Sequence, residues 1–314
     1  MPRYLARRLA LAVGVLWAAF TVSFVVLWLL PGDPVEVMAS GGLDGEPATP
    51  AQLAALRARY GLDKPPLRQY GDRLWAALHG DFGSSIQTGQ GVRGEITQAL
   101  PPTLQIALAG LLFAVLFGSG LALLATYTRL RWLRQLLMSL PSLAVSLPTF
   151  WVGLMLVQLF SFHLRLLPSV GAHGPQSVIL PAVTLGLPTG ALVGQVLAKS
   201  LSQALEEPYI TTARAKGVGR VAIHLRHALR NAAIPALTVL GYLVGNLLAG
   251  AVVVETVFNR PGLGRLTVAA VSVQDIPLVQ GIVVFAAAVF VLANLLVDLL
   301  YPLLDPRIAT GVTA

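Results

Sequence analysis

Six long stretches of this chain contain no Asp, Glu, Lys or Arg: Leu9–Gly32, Ile96–Thr128, Gln135–Leu164, Leu166–Ala198, Asn231–Val254 and Ile276–Val297. The shortest is 22 residues long and the longest 33. A helix needs about 20 apolar residues to cross the hydrocarbon core of a bilayer. Each stretch qualifies, and the three longest leave room for polar turns at their ends. Inside lipid the backbone must satisfy its own hydrogen bonds, which leaves helices or a closed barrel. A barrel would show alternating segments of roughly 10 residues, and the sequence has none. The expectation is an all-α membrane protein with six transmembrane helices.

Composition supports lipid as the solvent. Only 11% of the residues are charged and 55% are hydrophobic, against roughly 25% charged in an average globular chain. Too few charges exist to coat a soluble fold of 314 residues. The absence of cysteine excludes disulfides and thiolate metal sites. The net charge of +8 does not read as a nucleic-acid footprint, because the basic residues flank apolar stretches and form no stripe with interleaved aromatics.

Arg3, Arg7 and Arg8 give the first stretch a basic start like that of a signal peptide. Its apolar run is too long for an h-region, and Pro31-Gly32-Asp33-Pro34 follows in place of a small-x-small cleavage site. It is expected to be a retained first span, within a segment 1–32. With the N-terminus in the cytoplasm, the short segments on that side hold 13 basic residues, whereas the short segments opposite hold only Arg165, Arg260 and Arg265. The positive-inside rule then places both termini in the cytoplasm. The 33–95 segment becomes an external loop, long enough to be largely exempt from that rule.

Within that loop, Thr49 is placed to cap a helix beginning at Pro50 and ended by Gly61. Leu67, Tyr70, Leu74 and Leu78 mark a second amphipathic helix stopped by Gly80. Two short helices make a lid at the membrane surface, serving either to pack on the span ends or to dock a partner. On the cytoplasmic side, Lys199–Arg230 reads as a helical hairpin: a break at Glu206-Glu207-Pro208, a short helix Tyr209–Lys216, Gly217, then a second helix. It is either a solvated basic loop or a docking element for a cytoplasmic protein.

Chemistry-bearing motifs are missing. No glycine-rich loop ends in Gly-Lys-Ser or Gly-Lys-Thr, so the chain does not cradle ATP in that way. No Gly-x-Ser-x-Gly elbow or His-Glu-x-x-His helix is present. His224 and His227 read as a surface pair without a nearby carboxylate. His163 and His173 lie near span ends, so a membrane-embedded enzyme, the distant alternative, lacks an evident site. The spans carry no mid-membrane carboxylate to bind a driving ion. Gly190/Gly194 and Gly241/Gly245 have the spacing of small-residue helix contacts.

The run Tyr209-Ile-Thr-Thr-Ala-Arg-Ala-Lys-Gly217, followed by His227-Ala-Leu-Arg-Asn231 and Pro235, resembles the signature loop of ABC importer permeases in its dipeptide/oligopeptide/nickel form. The general signature begins Glu-Ala-Ala; here Thr211, Thr212 and Ala213 hold those places, so the acidic start is absent. Similar motifs run the length of the chain: Pro31–Pro34, Gly61–Pro65, Asp81-Phe-Gly-Ser84, Leu100-Pro-Pro-Thr103, Glu255–Phe258, Pro261–Gly264, Asn294–Asp298 and Leu304–Arg307. Together they resemble the first of the two permeases in such systems.

The resemblance implies the type I, MetI-like permease fold over 96–314, with ATPase coupling through 199–230. It implies a non-catalytic subunit without cofactor in the cytoplasmic membrane. Its partners would be a second homologous permease, two cytoplasmic ATPases and an external solute-binding protein. Ala213, Arg214, Ala215, Lys216 and Gly217 are the residues it marks for ATPase docking. Gln195, Asn246 and Asn294 are candidates to line a polar route, although helix–helix hydrogen bonds explain them equally well. The implied cargo is a di- or oligopeptide, with nickel or a metal–opine chelate as the alternative.

Overall fold

The computed structural model describes residues 2–29, 35, 49–59, 61–172 and 174–304. Pro31–Pro34, His173 and Asp305–Arg307 lie outside the described residues, as do the side chains of Asn294 and Asp298. The described chain is helical, with α1 (Pro2–Leu29), α2 (Pro50–Arg59), α3 (Pro66–Leu78), α4 (Val92–Tyr127), α5 (Arg131–Ser146) and α6 (Thr149–Leu156). After α6 come a π-helical turn (Val157–His163), α7 (Gln176–Glu206) and α8 (Pro208–Ala215). Arg220–Ala222 and a second π-helical turn (Ile223–Ala228) lead into α9 (Leu229–Val257), and α10 (Leu263–Ser272) and α11 (Ile276–Leu304) follow.

Among the described residues, four helices are long and apolar enough to cross a membrane: Arg8–Leu29, Val92–Tyr127, Gln176–Glu206 and Ile276–Ala293. The other two charge-free stretches lie in bent pairs, so the count reaches six when each pair is one span. The third stretch is not the straight helix its composition implies. Arg131–Ser146 and Thr149–His163 meet at 104°. The cause is local: Pro148 forces the residue before it out of the helical region, and Leu147 sits at ψ 132.

The described residues form two compact units, one up to Pro101 with Gly262–Val291, the other from Pro102–Pro261 with those from Leu292 to Leu304. In the first unit, Val92, Ile96, Ala270, Leu278, Val279 and Ile282 form the core. Asp275 organises it. Fully buried, it accepts the Leu278 amide at 3.2 Å as the N-cap of α11, and its other carboxylate oxygen takes the Ser85 hydroxyl at 2.5 Å and the Gln87 amide at 3.3 Å. One side chain thus caps a membrane helix and clamps the loop that follows Asp81-Phe-Gly-Ser84.

The second unit is built around α7. Gly110, Ala114 and Gly118 of α4 face Ala182, Gly186, Gly190 and Gly194 of α7, at a spacing of four on both helices. A Cβ added at Gly118 would lie 2.4 Å from the Gly190 carbonyl oxygen, and one at Gly186 would lie 2.3 Å from the Gly110 oxygen. Lipid tails are as apolar as leucine, so close backbone packing replaces hydrophobic burial as the force joining membrane helices. Gly190/Gly194 is therefore a contact surface, and α4 is its partner.

Candidate functional site

The Lys199–Arg230 segment joins two long helices through a short one. Its first part is the end of α7, and Arg220 already begins the helical path that runs into α9. Between them stands α8, entered through Pro208, whose fixed φ suits the first helical position. Its end is a Schellman motif: the Val218 amide donates to the Ala213 carbonyl at 3.1 Å and the Gly217 amide to that of Arg214 at 3.0 Å. Gly217 has φ +76, a conformation that carries a Cβ penalty in every other residue.

Two faces of α8 differ sharply. Ile210 is fully buried in a core with Leu197, Leu201, Ile223 and Ala228, and Ala213 is buried as well. Thr211, Thr212, Arg214, Ala215, Lys216 and Gly217 are exposed. Of the five residues marked for docking, Ala213 is buried and the other four face out. The Asn231 amide donates to the Tyr209 hydroxyl at 3.1 Å, which joins the two ends of the signature motif.

A second attachment was not visible in the sequence. The Arg220 guanidinium donates to the Tyr127 carbonyl at the end of α4 and lies 4.4 Å from the centroid of its ring. A cation there also complements the negative end of the α4 dipole. His224 packs edge-on against the same ring at 5.2 Å. His224 is buried, which corrects the expectation of a surface histidine pair. No group of three His, Cys, Asp or Glu among the described residues is placed to hold a metal ion.

At the other end of α9, the Thr103 hydroxyl donates to Glu255 at 2.6 Å, uniting two motifs that stand 152 residues apart. Arg260, fully buried, donates to the carbonyls of Gly171 and Ser177, the Ser177 hydroxyl and the Gln105 side chain at 3.1–3.2 Å. Burial disfavours its charge and Glu255 favours it. Along the sequence Arg260 is one basic residue in a short loop. A buried arginine requires partners, but their positions 83 to 155 residues away gave no local signal.

Of the residues considered for a polar route, Gln195 on α7 and Asn246 on α9 are exposed on the chain. Both sit well inside long apolar helices, where a polar side chain facing lipid is costly.

Among the described residues the chain is an all-helical membrane scaffold that carries a short helix with Arg214, Ala215, Lys216 and Gly217 facing outward. Comparison with known proteins gives the family. The profile described as "Binding-protein-dependent transport system inner membrane component" matches residues 114–310, and the corresponding N-terminal profile matches 1–107. The chain belongs to this family. It is 40% identical over 309 residues to the glutathione transport system permease protein GsiC of Salmonella typhimurium (strain LT2), covering 98% of this chain and 99% of that one. It is 38% identical over the same length to GsiC of Escherichia coli (strain K12).

Two solved structures share the fold. A methionine ABC transporter, MetNI, in inward-facing conformations matches with a TM-score of 0.55 at 15% identity, over 67% of this chain and 96% of that one. An amino acid ABC transporter with histidines matches with 0.51 at 18%, over 68% and 94%. The chain is thus a multi-pass inner-membrane permease subunit. It is non-catalytic: partner ATPases hydrolyse ATP, and a binding protein presents the solute.

Proposed function

We propose that this permease imports short peptides, and that it does so as a heterodimer with a second homologous permease whose ATPases dock on α8. The observation that carries the reading is the two-sided α8. Ile210 seats it in the chain's own core and Ala213 is buried beside the exposed face, while Arg214, Ala215, Lys216 and Gly217 face outward. Pushed by an ATPase, a helix so mounted moves with α7, α9 and, through Arg220, α4. That supplies the coupling between a nucleotide site and a distant gate. The peptide cargo is supported by the similarity to glutathione permeases over nearly the full chain.

A zwitterionic peptide cannot cross bare hydrocarbon. Exposed Gln195 and Asn246 suit a polar route completed by the second permease, with Asn294 on α11 as a further contributor. In this reading both termini are cytoplasmic and the 33–95 segment faces the binding protein. The test is uptake into proteoliposomes holding the permease with the subunits encoded beside it. Labelled glutathione and dipeptides should accumulate with ATP, and nickel or a metal chelate should not. Uptake of the metal species alone would replace the peptide reading. A reporter fused at Gly61 should score outside and one at Lys216 inside; the same side for both would overturn the orientation.

A further inference from the structure

The first unit contains a half-enclosed cavity of about 360 Å³, lined by Arg73, Asp81, Gly83, Gln280 and the rings of Phe20 and Phe82. That volume falls in the roughly 300–1,000 Å³ range of small-molecule sites. Two of its polar groups lack partners among the described residues. The Gln280 amide nitrogen is buried with no hydrogen bond, in a residue only 3% exposed. Arg73 makes no ion pair or hydrogen bond there. Burial pulls its guanidinium below its ordinary value, and no neighbouring carboxylate raises it. The carboxylates nearby are otherwise engaged: Asp72 pairs with Lys64 at 2.6 Å, and one Asp81 oxygen takes the Gly83 amide at 2.8 Å.

Native proteins satisfy nearly all buried polar groups, so the buried Gln280 amide left open on this cavity calls for a ligand, and the half-buried Arg73 guanidinium on the same wall is an unpaired donor for an anion. We infer that this cavity binds the carboxylate of a small zwitterionic solute through Arg73 and Gln280, with the free oxygen of Asp81 facing the solute's ammonium group and Phe20 and Phe82 walling its apolar part. Arg73 supplies a planar fork matched to a carboxylate. The inference rests on the peptide reading above, for which a short peptide's C-terminus is the natural occupant.

The test uses the permease assembled with its partner subunits in phosphatidylcholine nanodiscs. The probes are alanyl-alanine and its C-terminal amide, followed by calorimetry. The free acid should bind at least about tenfold tighter than the amide, and Arg73→Gln should weaken it by at least about tenfold. Gln280→Leu should weaken binding about three- to tenfold while leaving thermal stability unchanged or raised, because it removes an unpaired buried amide. A purely structural Gln280 would lose stability instead, and that result overturns the assignment, as does an unchanged affinity in Arg73→Gln. Loss of peptide binding in phosphatidylglycerol nanodiscs would give the cavity to lipid phosphates and likewise overturn it. The two readings fail separately. Peptide uptake with Arg73-independent binding defeats only the cavity; Arg73-dependent binding without peptide uptake defeats only the cargo.

Discussion

Helices α1 and α7 are both apolar and both long enough to span a membrane, yet 11% of the membrane window of α1 is buried within the chain against 67% of that of α7. Their side chains explain the difference. α7 presents Gly186, Gly190 and Gly194 to another backbone, whereas a Cβ on Gly14 of α1 would meet nothing within 4 Å. α7 is also tied at its first turn, where Ser177 accepts from Arg260, and at its last it passes into α8. Among the contacts of α1, Phe20 and Phe24 pack edge-on against Tyr70, the Thr21 and Tyr70 hydroxyls share a hydrogen bond at 2.8 Å, and Leu27 packs on the core of the first unit. Apolarity brings a helix into the membrane; small residues and a few buried polar ties decide whether it becomes part of a rigid frame.

The sharpest way to break this contrast is to cut the tie at the start of α7. Arg260→Ala removes a buried charge and leaves the Gly171 and Ser177 carbonyls and the Ser177 hydroxyl without that donor, and should destabilise the protein by about 3–5 kcal/mol. Thermal unfolding of the detergent-solubilised chain reads the loss; a change within 0.5 kcal/mol would mean that water replaces the guanidinium. Next in size is Gly118→Val. Its Cβ would lie 2.4 Å from the Gly190 oxygen, so α4 and α7 must separate, at a cost of about 3 kcal/mol. Yield of monodisperse protein on size exclusion should collapse. A Gly118→Val protein as stable as the parent would show that the two helices do not touch there.

A smaller effect on stability, but a larger one on function, is expected at the far end of α7. Gly217→Val places a β-branched residue at φ +76, at about 1–3 kcal/mol. Nothing lies within 4 Å of its Cβ, so the strain is confined to the backbone of the Schellman turn. A typical allosteric coupling is also about 1–3 kcal/mol. Solute imported per ATP hydrolysed should therefore fall several-fold while the protein still inserts; an unchanged ratio would remove α8 from the transmission path. The smallest effect belongs to α1. Gly14→Val should change stability by no more than about 0.5 kcal/mol, and a large loss would reveal a partner for that face.

Much of this was legible along the chain. Gly61, Gly80 and Gly217 stand after the short helices and all have positive φ. Thr49 precedes α2, although its cap is formed in reverse: the Gln52 side chain accepts from both the amide and the hydroxyl of Thr49 at 2.9 Å, the Gln half of a capping box. The right-angled bend had its signal in Pro148, but a charge count does not register proline. Arg260, Asp275 and the Tyr127–Arg220–His224 cluster had no sequence signal, because their partners lie far away along the chain or behind a fold.

That this chain is helical, and where most helices start and stop, follows from local residue patterns. A backbone in lipid has no partner but itself, and caps, prolines and glycines act over a few residues. Which helices touch, that Ala213 points inward while Arg214 and Lys216 point outward, and that Thr103 meets Glu255 depend on long-range packing. In lipid every apolar face is equally content against a tail or a neighbour. Hydropathy therefore cannot choose partners, and the choice falls to steric fit between small residues and to single buried hydrogen bonds across more than a hundred residues of chain.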